Sequence, residues 1–357
     1  MKSIIISSDS SEGGKTTITL GIMKALIKSG YSVQGYKVGP DYIDPAFHKS
    51  ITGVDSRNLD IYLMGEDGVK ASFGRGSGDL GIVEGVMGLY DGKGIDSRYS
   101  TAHVAEILNL PVVLIISPKP QSTTLCAEIN GIVDFENVDV CGVIFNNISE
   151  GYYRLLKAAV EKNCNLKVFG YIPKDERLSL ESRHLGLIQS REVEDLNEKI
   201  ELCSELVLKN IDMNMLLKFF KESPDFEDEY HLKDRGIKTA VACDKAFSFY
   251  YRENIELLEE CGEVVFFSPL KDKCLPEDIN FLYIGGGYPE VFIKELSRNK
   301  SMLNSINKSL SSGLNCYAEC GGLMYLMEGI QGMDSGRIFN TVGFFNGKAY
   351  MTSKLQN

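Results

Sequence analysis

A chain of 357 residues exceeds one ordinary hydrophobic core, so two domains are expected. Its 43% hydrophobic and 24% charged content is that of a soluble globular protein, and no run of about 18 apolar residues could span a bilayer. A net charge of −11 without a Lys/Arg stripe argues against a nucleic-acid partner but leaves room for a local basic pocket that takes an acidic substrate.

The N-terminal apolar stretch in MKSIIISSDSSEGG is too short for a signal peptide. Nine cysteines without a CxxC pair read as free thiols of a cytoplasmic protein, and four histidines make a zinc site unexpected. Short β-branched runs at 3–6, 32–38, 80–85, 111–116, 140–145 and 166–172 read as buried strands. Amphipathic segments at 16–30, 101–110 and 150–163 read as helices between them. This alternation predicts an α/β fold with a doubly wound, mostly parallel sheet. From 190 to 222 the chain turns helical and polar, and the acidic stretch 221–236, with Pro224, breaks the pattern. Domains are therefore expected at 1–222 and 237–357, joined by a linker at 223–236. A second α/β series starts with IKTAVAC (237–243).

The first strand leads through a small-residue loop into a helix that opens with Gly13, Gly14, Lys15, Thr16 and Thr17. This is the second half of a P-loop, in which backbone N–H groups cradle phosphate, the lysine reaches the outer phosphates and a hydroxyl meets Mg²⁺. Asp9 stands where the strict pattern has its first glycine, and Ser10 stands where partition-type ATPases carry a lysine. A serine-rich, N-capped helix is the plainer alternative. KVGPDYIDPAFH (37–48) follows the second strand with Asp41, Asp44 and His48, and EGVMGLYDG (84–92) follows the third with Glu84 and Asp91. Loops at strand C-termini converge on the ligand crevice of a doubly wound sheet, and carboxylates there suit Mg²⁺.

Near the other end, SGLNCYA (312–318) runs into AECGGLMYL (318–326). A strand, a tight turn carrying Cys320 with Gly321 and Gly322, and then a helix is the layout of a nucleophile elbow. A thiol at a helix start gains from the macrodipole. A core cysteine beside a glycine turn would read the same way.

These strings, together with SRNLD (56–60), RHLGL (183–187), FSFYYRENIELLE (247–259) and GGGYPE (285–290), resemble the signatures of the cobyrinic acid a,c-diamide synthase family, in its order. The resemblance implies a dethiobiotin-synthetase-like P-loop domain joined to a triad-type, class I glutamine amidotransferase domain. It implies ATP- and Mg²⁺-dependent phosphorylation of the a and c acetate carboxylates of cobyrinic acid, followed by displacement of phosphate by ammonia from L-glutamine. In that scheme Gly13, Gly14, Lys15, Thr16 and Thr17 hold ATP, while Thr16, Asp41 and Glu84 hold the metal or orient the carboxyl phosphate. Cys320 attacks glutamine, with Gly286 and Gly321 as oxyanion donors. Tyr42, Asp44, His48, Arg183 and His184 are expected to meet the polycarboxylate. A homodimer is left open.

The family's histidine base lies downstream of its nucleophile, and none of the histidines here follows Cys320. The expectation is thus of a fragment or truncated chain, incomplete in its second domain, that lacks glutamine-dependent amidation while ammonia-dependent activity survives. Nickel-sirohydrochlorin a,c-diamide synthase shares most of these motifs, and cobyric acid synthase fewer. A degenerate, non-catalytic nucleotide-binding protein is the reading from another class.

Overall fold

The computed structural model describes residues 1–11, 13–178, 190–226, 228, 231–332 and 336–352, with the side chains of 190–195 excepted. The chain divides into two compact units, one running to residue 230 and the other starting at His231.

In the first unit the strands are β1 (Lys2–Ser8), β2 (Val33–Val38), β3 (Arg57–Leu59), β4 (Leu80–Glu84), β5 (Val112–Ile116), β6 (Val140–Ile148) and β7 (Lys167–Pro173). They pair in parallel in the order β3-β2-β4-β1-β5-β6-β7. Parallel strands are covered on both faces, which is why they read as continuous apolar runs rather than as alternating ones. Separate apolar clusters form the two faces: Ile5, Tyr36, Val83 and Leu114 belong to one, and Ile4, Ile6, Ile82 and Ile115 to the other.

The helices between the strands are α1 (Lys15–Lys28), α2 (Ile43–Thr52), α3 (Ile61–Gly74), α4 (Thr101–Leu108), α5 (Thr123–Phe135), α6 (Glu150–Asn163), α7 (Ser190–Asn210) and α8 (Met213–Leu217). Local chemistry sets their starts. Asp60 accepts from the Leu63 N–H at 2.9 Å, and Ser100 and Ser149 cap α4 and α6 in the same way. The expected helices at 16–30, 101–110 and 150–163 are α1, α4 and α6, whereas α2, α3 and α5 gave weaker patterns. A glycine at φ 70°, Gly65, breaks α3 internally, and α2 carries Pro45 in its first turn.

A short strand, β8 (Lys221–Glu222), adds antiparallel to β1 beyond α8. Phe226 then packs edge-on against Phe73, and Asp228 pairs with Arg75 at 2.5 Å. The acidic, proline-bearing segment expected to be a linker thus begins as part of the first unit. Its hydrophilic composition hid one anchoring ring and one ion pair.

The second unit is built on a parallel sheet of β9 (Thr239–Ala242), β11 (Val264–Phe267), β12 (Phe281–Ile284) and β14 (Asn315–Ala318) in the order β11-β9-β12-β14. Between them lie β10 (Phe247–Phe249), which pairs antiparallel with β13 (Gly286–Gly287), and the helices α9 (Arg252–Cys261), α10 (Ile293–Arg298) and α11 (Lys300–Ser311). After β14 come α12 (Gly321–Leu326) and a small sheet of β15 (Met327–Gln331), β16 (Ile338–Asn340) and β17 (Phe345–Ala349). Ala240, Phe247, Leu282, Met302, Ile306 and Tyr325 are in its core.

Candidate active site

The sheet order of the first unit makes β1, β4 and β5 neighbours, so the loops after them share one edge. Successive crossovers leave β1 in opposite directions there, which is the switch point where doubly wound sheets bind ligands. Gly14 occupies the N-cap of α1 at φ 83°, a left-handed conformation that favours glycine. A Cβ on it would stand 2.1 Å from Asn146 Nδ2. Asn146, on β6, donates to the Gly13 carbonyl at 2.9 Å, and Ser117, just past β5, donates to the same oxygen at 3.1 Å. Two strands therefore hold the loop from behind. Gly14 brings no side-chain cap of its own to α1, and a helix N-terminus behind a glycine loop is where phosphate is ordinarily held.

Lys15 is buried and donates to the Met87 carbonyl at 2.8 Å and to Ser8 Oγ at 3.2 Å. Met87 itself takes φ 48°, a left-handed strain in a non-glycine residue, and it turns its carbonyl toward the loop. Burial, with Lys37 as a nearby like charge, lowers the Lys15 ammonium from its ordinary value. Asp9 keeps solvent contact, and partial desolvation pushes its carboxyl up from the ordinary value.

Glu84 ends β4 with no exposed surface. Oε1 accepts from Thr16 Oγ1 at 2.6 Å and from Lys37 Nζ at 3.0 Å, and Oε2 bonds His48 Nε2 at 2.8 Å. Lys37 also pairs with Asp44 at 2.6 Å and donates to the Gly85 carbonyl at 3.0 Å. Register explains the main pair, because Lys37 of β2 and Glu84 of β4 are direct partners in the parallel ladder. Burial alone would raise the Glu84 carboxyl. Lys37, His48 and Thr16 overcome it and hold the group well below the usual carboxylate range. Glu84 and Asp44 likewise overcome the desolvation of Lys37 and raise its ammonium above the ordinary value.

The expected residues separate into different positions. Lys15, Thr16 and Glu84 meet at one point, while Gly13 and Gly14 line it. Thr17 lies half-buried on α1, and its carbonyl accepts from Cys203 Sγ at 3.4 Å. Asp41 accepts from the Ile43 and Asp44 N–H groups at 2.7 and 3.3 Å, so it starts α2, with Tyr42 half-buried at the N-cap position. Asp91 is exposed and holds the Gly88 N–H at 2.8 Å. Asp44 and His48, expected to meet the polycarboxylate, are only 1% and 0% exposed. They serve Lys37 and Glu84 instead of an incoming molecule, because α2 turns this face onto the sheet. Arg183 and His184 lie outside the described residues.

Sequence reasoning passed over Lys37, Ser56, Asn58, Ser117 and Asn146. Lys37 carried a signal all the same: a lysine inside a fully buried strand requires buried counter-charges. Asn58 donates to the Gly39 and Asp41 carbonyls at 2.9 and 2.7 Å and ties the β2–α2 loop to β3. Among the described residues, no group of three or more His, Cys, Asp or Glu is placed to hold a metal. For Mg²⁺, which keeps water and phosphate ligands, a threonine hydroxyl beside one carboxylate at a phosphate loop is a fitting donor set.

In the second unit Cys320 stands exposed at the turn between β14 and α12, at φ 50° and ψ −115°. The turn is sharp because both following glycines press on backbone: a Cβ on Gly322 would meet the Ile284 carbonyl at 2.1 Å, and one on Gly321 would meet the Gly287 carbonyl at 3.1 Å. A Cβ on Gly286 would lie 3.4 Å from Cys320 Cβ, so β13 passes directly beside the thiol. Tyr250, half-buried, donates to the Ala242 carbonyl and accepts from the Gly285 N–H at 2.9 Å, which fixes the start of that glycine segment. His231 is exposed and bonds Glu260 at 3.2 Å.

A nucleotide-binding P-loop unit joined to a unit with a strained, exposed thiol at an elbow defines a glutamine-dependent ligase. Family models agree: residues 4–188 match the CobQ/CobB/MinD/ParA nucleotide binding domain, and residues 238–357 match the CobB/CobQ-like glutamine amidotransferase domain. The cobyrinate a,c-diamide synthase of Clostridium tetani is 70% identical over 357 residues, covering 100% of this chain and 81% of that protein. That of Clostridium acetobutylicum is 63% identical, with 100% and 81% covered, and that of Caldanaerobacter subterraneus is 45% identical, with 99% and 79% covered. The chain belongs to the cobyrinate a,c-diamide synthase family. Among solved structures, the MinD cell division protein of Aquifex aeolicus aligns at 17% identity and a TM-score of 0.42, covering 64% of this chain and 100% of that one. No helix among the described residues is long and apolar enough to cross a membrane.

Proposed function

We propose that this chain amidates the a and c acetate carboxylates of cobyrinic acid through an ATP-derived carboxyl phosphate, with ammonia taken from glutamine. The observation that carries the reading is the 2.6 Å bond between Thr16 and Glu84 at the start of α1, within electrostatic reach of the Lys15 ammonium. Similarity to cobyrinate a,c-diamide synthases at 70% and 63% identity favours cobyrinate over the nickel-tetrapyrrole substrate.

A carboxylate is a poor electrophile, and phosphorylation gives it a leaving group. The substrate carboxylate oxygen attacks the γ-phosphorus of ATP, and ADP departs. Ammonia then adds to the acyl carbon and phosphate is expelled as the amide forms. The N–H groups of α1 and the loop hold the phosphates, and Lys15 leaves the Met87 carbonyl to follow the transferred group. Thr16 and Glu84 would hold Mg²⁺, which supplies charge neutralisation on the phosphate oxygens. Lys37 keeps Glu84 ionised for that role. Asp41 sets the loop that delivers Tyr42 to the same edge of the sheet.

In the second unit the Cys320 sulfur would attack the glutamine carboxamide carbon, with ammonia leaving and water releasing glutamate from the thioester, once a base serves the thiol. No histidine follows Cys320 in this chain, so ammonium remains the donor that does not depend on one. The Gly286 and Gly321 N–H groups are the proposed oxyanion donors, as both glycines flank the thiol.

Incubation with cobyrinic acid, MgATP and ammonium chloride tests the reading without involving Cys320. The expected result is one ADP per amide, with mono- and then diamide seen by mass spectrometry. ADP release that ignores cobyrinic acid would refute it and favour a nucleotide-binding protein without this chemistry.

A further inference from the structure

We propose that His48 is a positioning residue for the metal site: with Ser56 it locks the Glu84 carboxylate so that Oε1, and not Oε2, faces Thr16. This inference rests on the reading that Thr16 and Glu84 hold a divalent cation.

A carboxylate at the end of a strand can rotate about its last torsion, and a metal ligand that rotates binds weakly. Here both oxygens are assigned. Oε2 bonds His48 Nε2 at 2.8 Å, which leaves Oε1 to Thr16 at 2.6 Å and Lys37 at 3.0 Å. Glu84, an acceptor in this pair, takes the Nε2 hydrogen. The ring's other nitrogen, Nδ1, is bonded to Ser56 Oγ at 2.9 Å, so the imidazole cannot turn without losing one end.

The surroundings are shaped for this ring. His48 and Glu84 have no exposed surface and Ser56 is 6% exposed, so the ring meets neither solvent nor substrate. Gly35 stands on β2 two residues before Lys37, on the same face of the strand. A Cβ there would lie 2.9 Å from His48 Cβ and 3.1 Å from Nδ1. The strand is notched where the imidazole crosses it. Burial by itself calls for a partner at each ring nitrogen; what is particular here is that one partner is the carboxylate whose other oxygen bonds Thr16. The chain Ser56–His48–Glu84–Thr16 links the segment before β3, α2, β4 and α1 into one support for the cation.

Outer partners of metal ligands typically set affinity by about 10- to 100-fold. The test compares His48→Leu, His48→Gln and Ser56→Ala with the unmodified protein, using Mn²⁺ as the probe. Free Mn²⁺ is followed by its electron paramagnetic resonance signal in the presence of saturating ADP, and ADP binding is measured separately in EDTA. His48→Leu should weaken Mn²⁺ about tenfold or more while ADP binding in EDTA stays within about twofold. His48→Gln, whose amide N–H can replace Nε2–H, should recover most of the loss, and Ser56→Ala should weaken Mn²⁺ by about threefold. Unchanged Mn²⁺ affinity in His48→Leu, or a Gln variant as weak as the Leu variant, overturns the proposal. If His48→Leu does not fold, wild-type affinity in Ser56→Ala overturns it. Absence of nucleotide-dependent Mn²⁺ binding in the unmodified protein would instead remove the metal site itself, and the positioning role with it.

Discussion

Replacing Gly14 by alanine perturbs the phosphate loop at its tightest point. The residue sits at φ 83°, and a left-handed conformation costs a non-glycine residue about 1–2 kcal/mol. The new Cβ would also fall 2.1 Å from Asn146 Nδ2 and push away the amide that holds the Gly13 carbonyl at 2.9 Å. Losing that bond adds about 1 kcal/mol. The loop relaxes to escape both, and nucleotide binding must then restore the cradle at a cost of about 2–3 kcal/mol. At about 1.4 kcal/mol per decade, this weakens ATP roughly 30- to 150-fold. Calorimetric titration with ATP reads the change directly. Asn146→Ala removes the obstructing group, so the double variant Gly14→Ala/Asn146→Ala should lose less than the sum of the single variants. Affinity within about threefold of wild type for Gly14→Ala, or strict additivity in the cycle, would refute the reasoning.

Glu84→Gln leaves Lys37 buried with half of its counter-charge, and it should cost about 3–5 kcal/mol in denaturant unfolding of the first unit while abolishing amidation; a stable variant with wild-type turnover contradicts this. The Glu84 carboxyl lies below its ordinary 4.5 when folded, so its contribution is complete above that value and disappears as pH falls through the folded one. Unfolding free energies between pH 3 and 7 should therefore fall more steeply toward acid in the wild type than in Glu84→Gln, and parallel slopes count against the buried pair. Burial pushes the Cys141, Cys164 and Cys203 thiols up to about 12, whereas Cys320, Cys243 and Cys274 are exposed. Brief iodoacetamide treatment followed by peptide mapping should label the exposed set first, and early labelling of Cys141 or Cys203 would contradict the fold.

Much of the first unit was legible because parallel strands and their helices leave strong periodic signals, and because Lys15 and Thr16 stand at fixed spacing after a strand. Glu84 could be placed at a strand C-terminus for the same reason. Its partners could not, since register rather than spacing brings Lys37 beside it, and the fold of α2 over β2 delivers His48. The pattern showed that 37–48 matters but not which of its side chains point inward, so Asp44 and His48 were expected at the substrate. Asp41 was read for its charge, whereas its visible work is to start a helix. In the second unit, Cys320 announced itself through Gly321 and Gly322, because only a crowded backbone needs two glycines there. The approach of Gly286 was not inferable from spacing, as it depends on how β13 crosses the elbow.

The central claim is that ATP activates a carboxylate as its phosphate. Cobyrinic acid labelled with ¹⁸O in its carboxylates, incubated with MgATP and ammonium, tests it by the isotope content of the phosphate released. The account predicts one ¹⁸O in inorganic phosphate for each amide formed. Amide formation with unlabelled phosphate would contradict it.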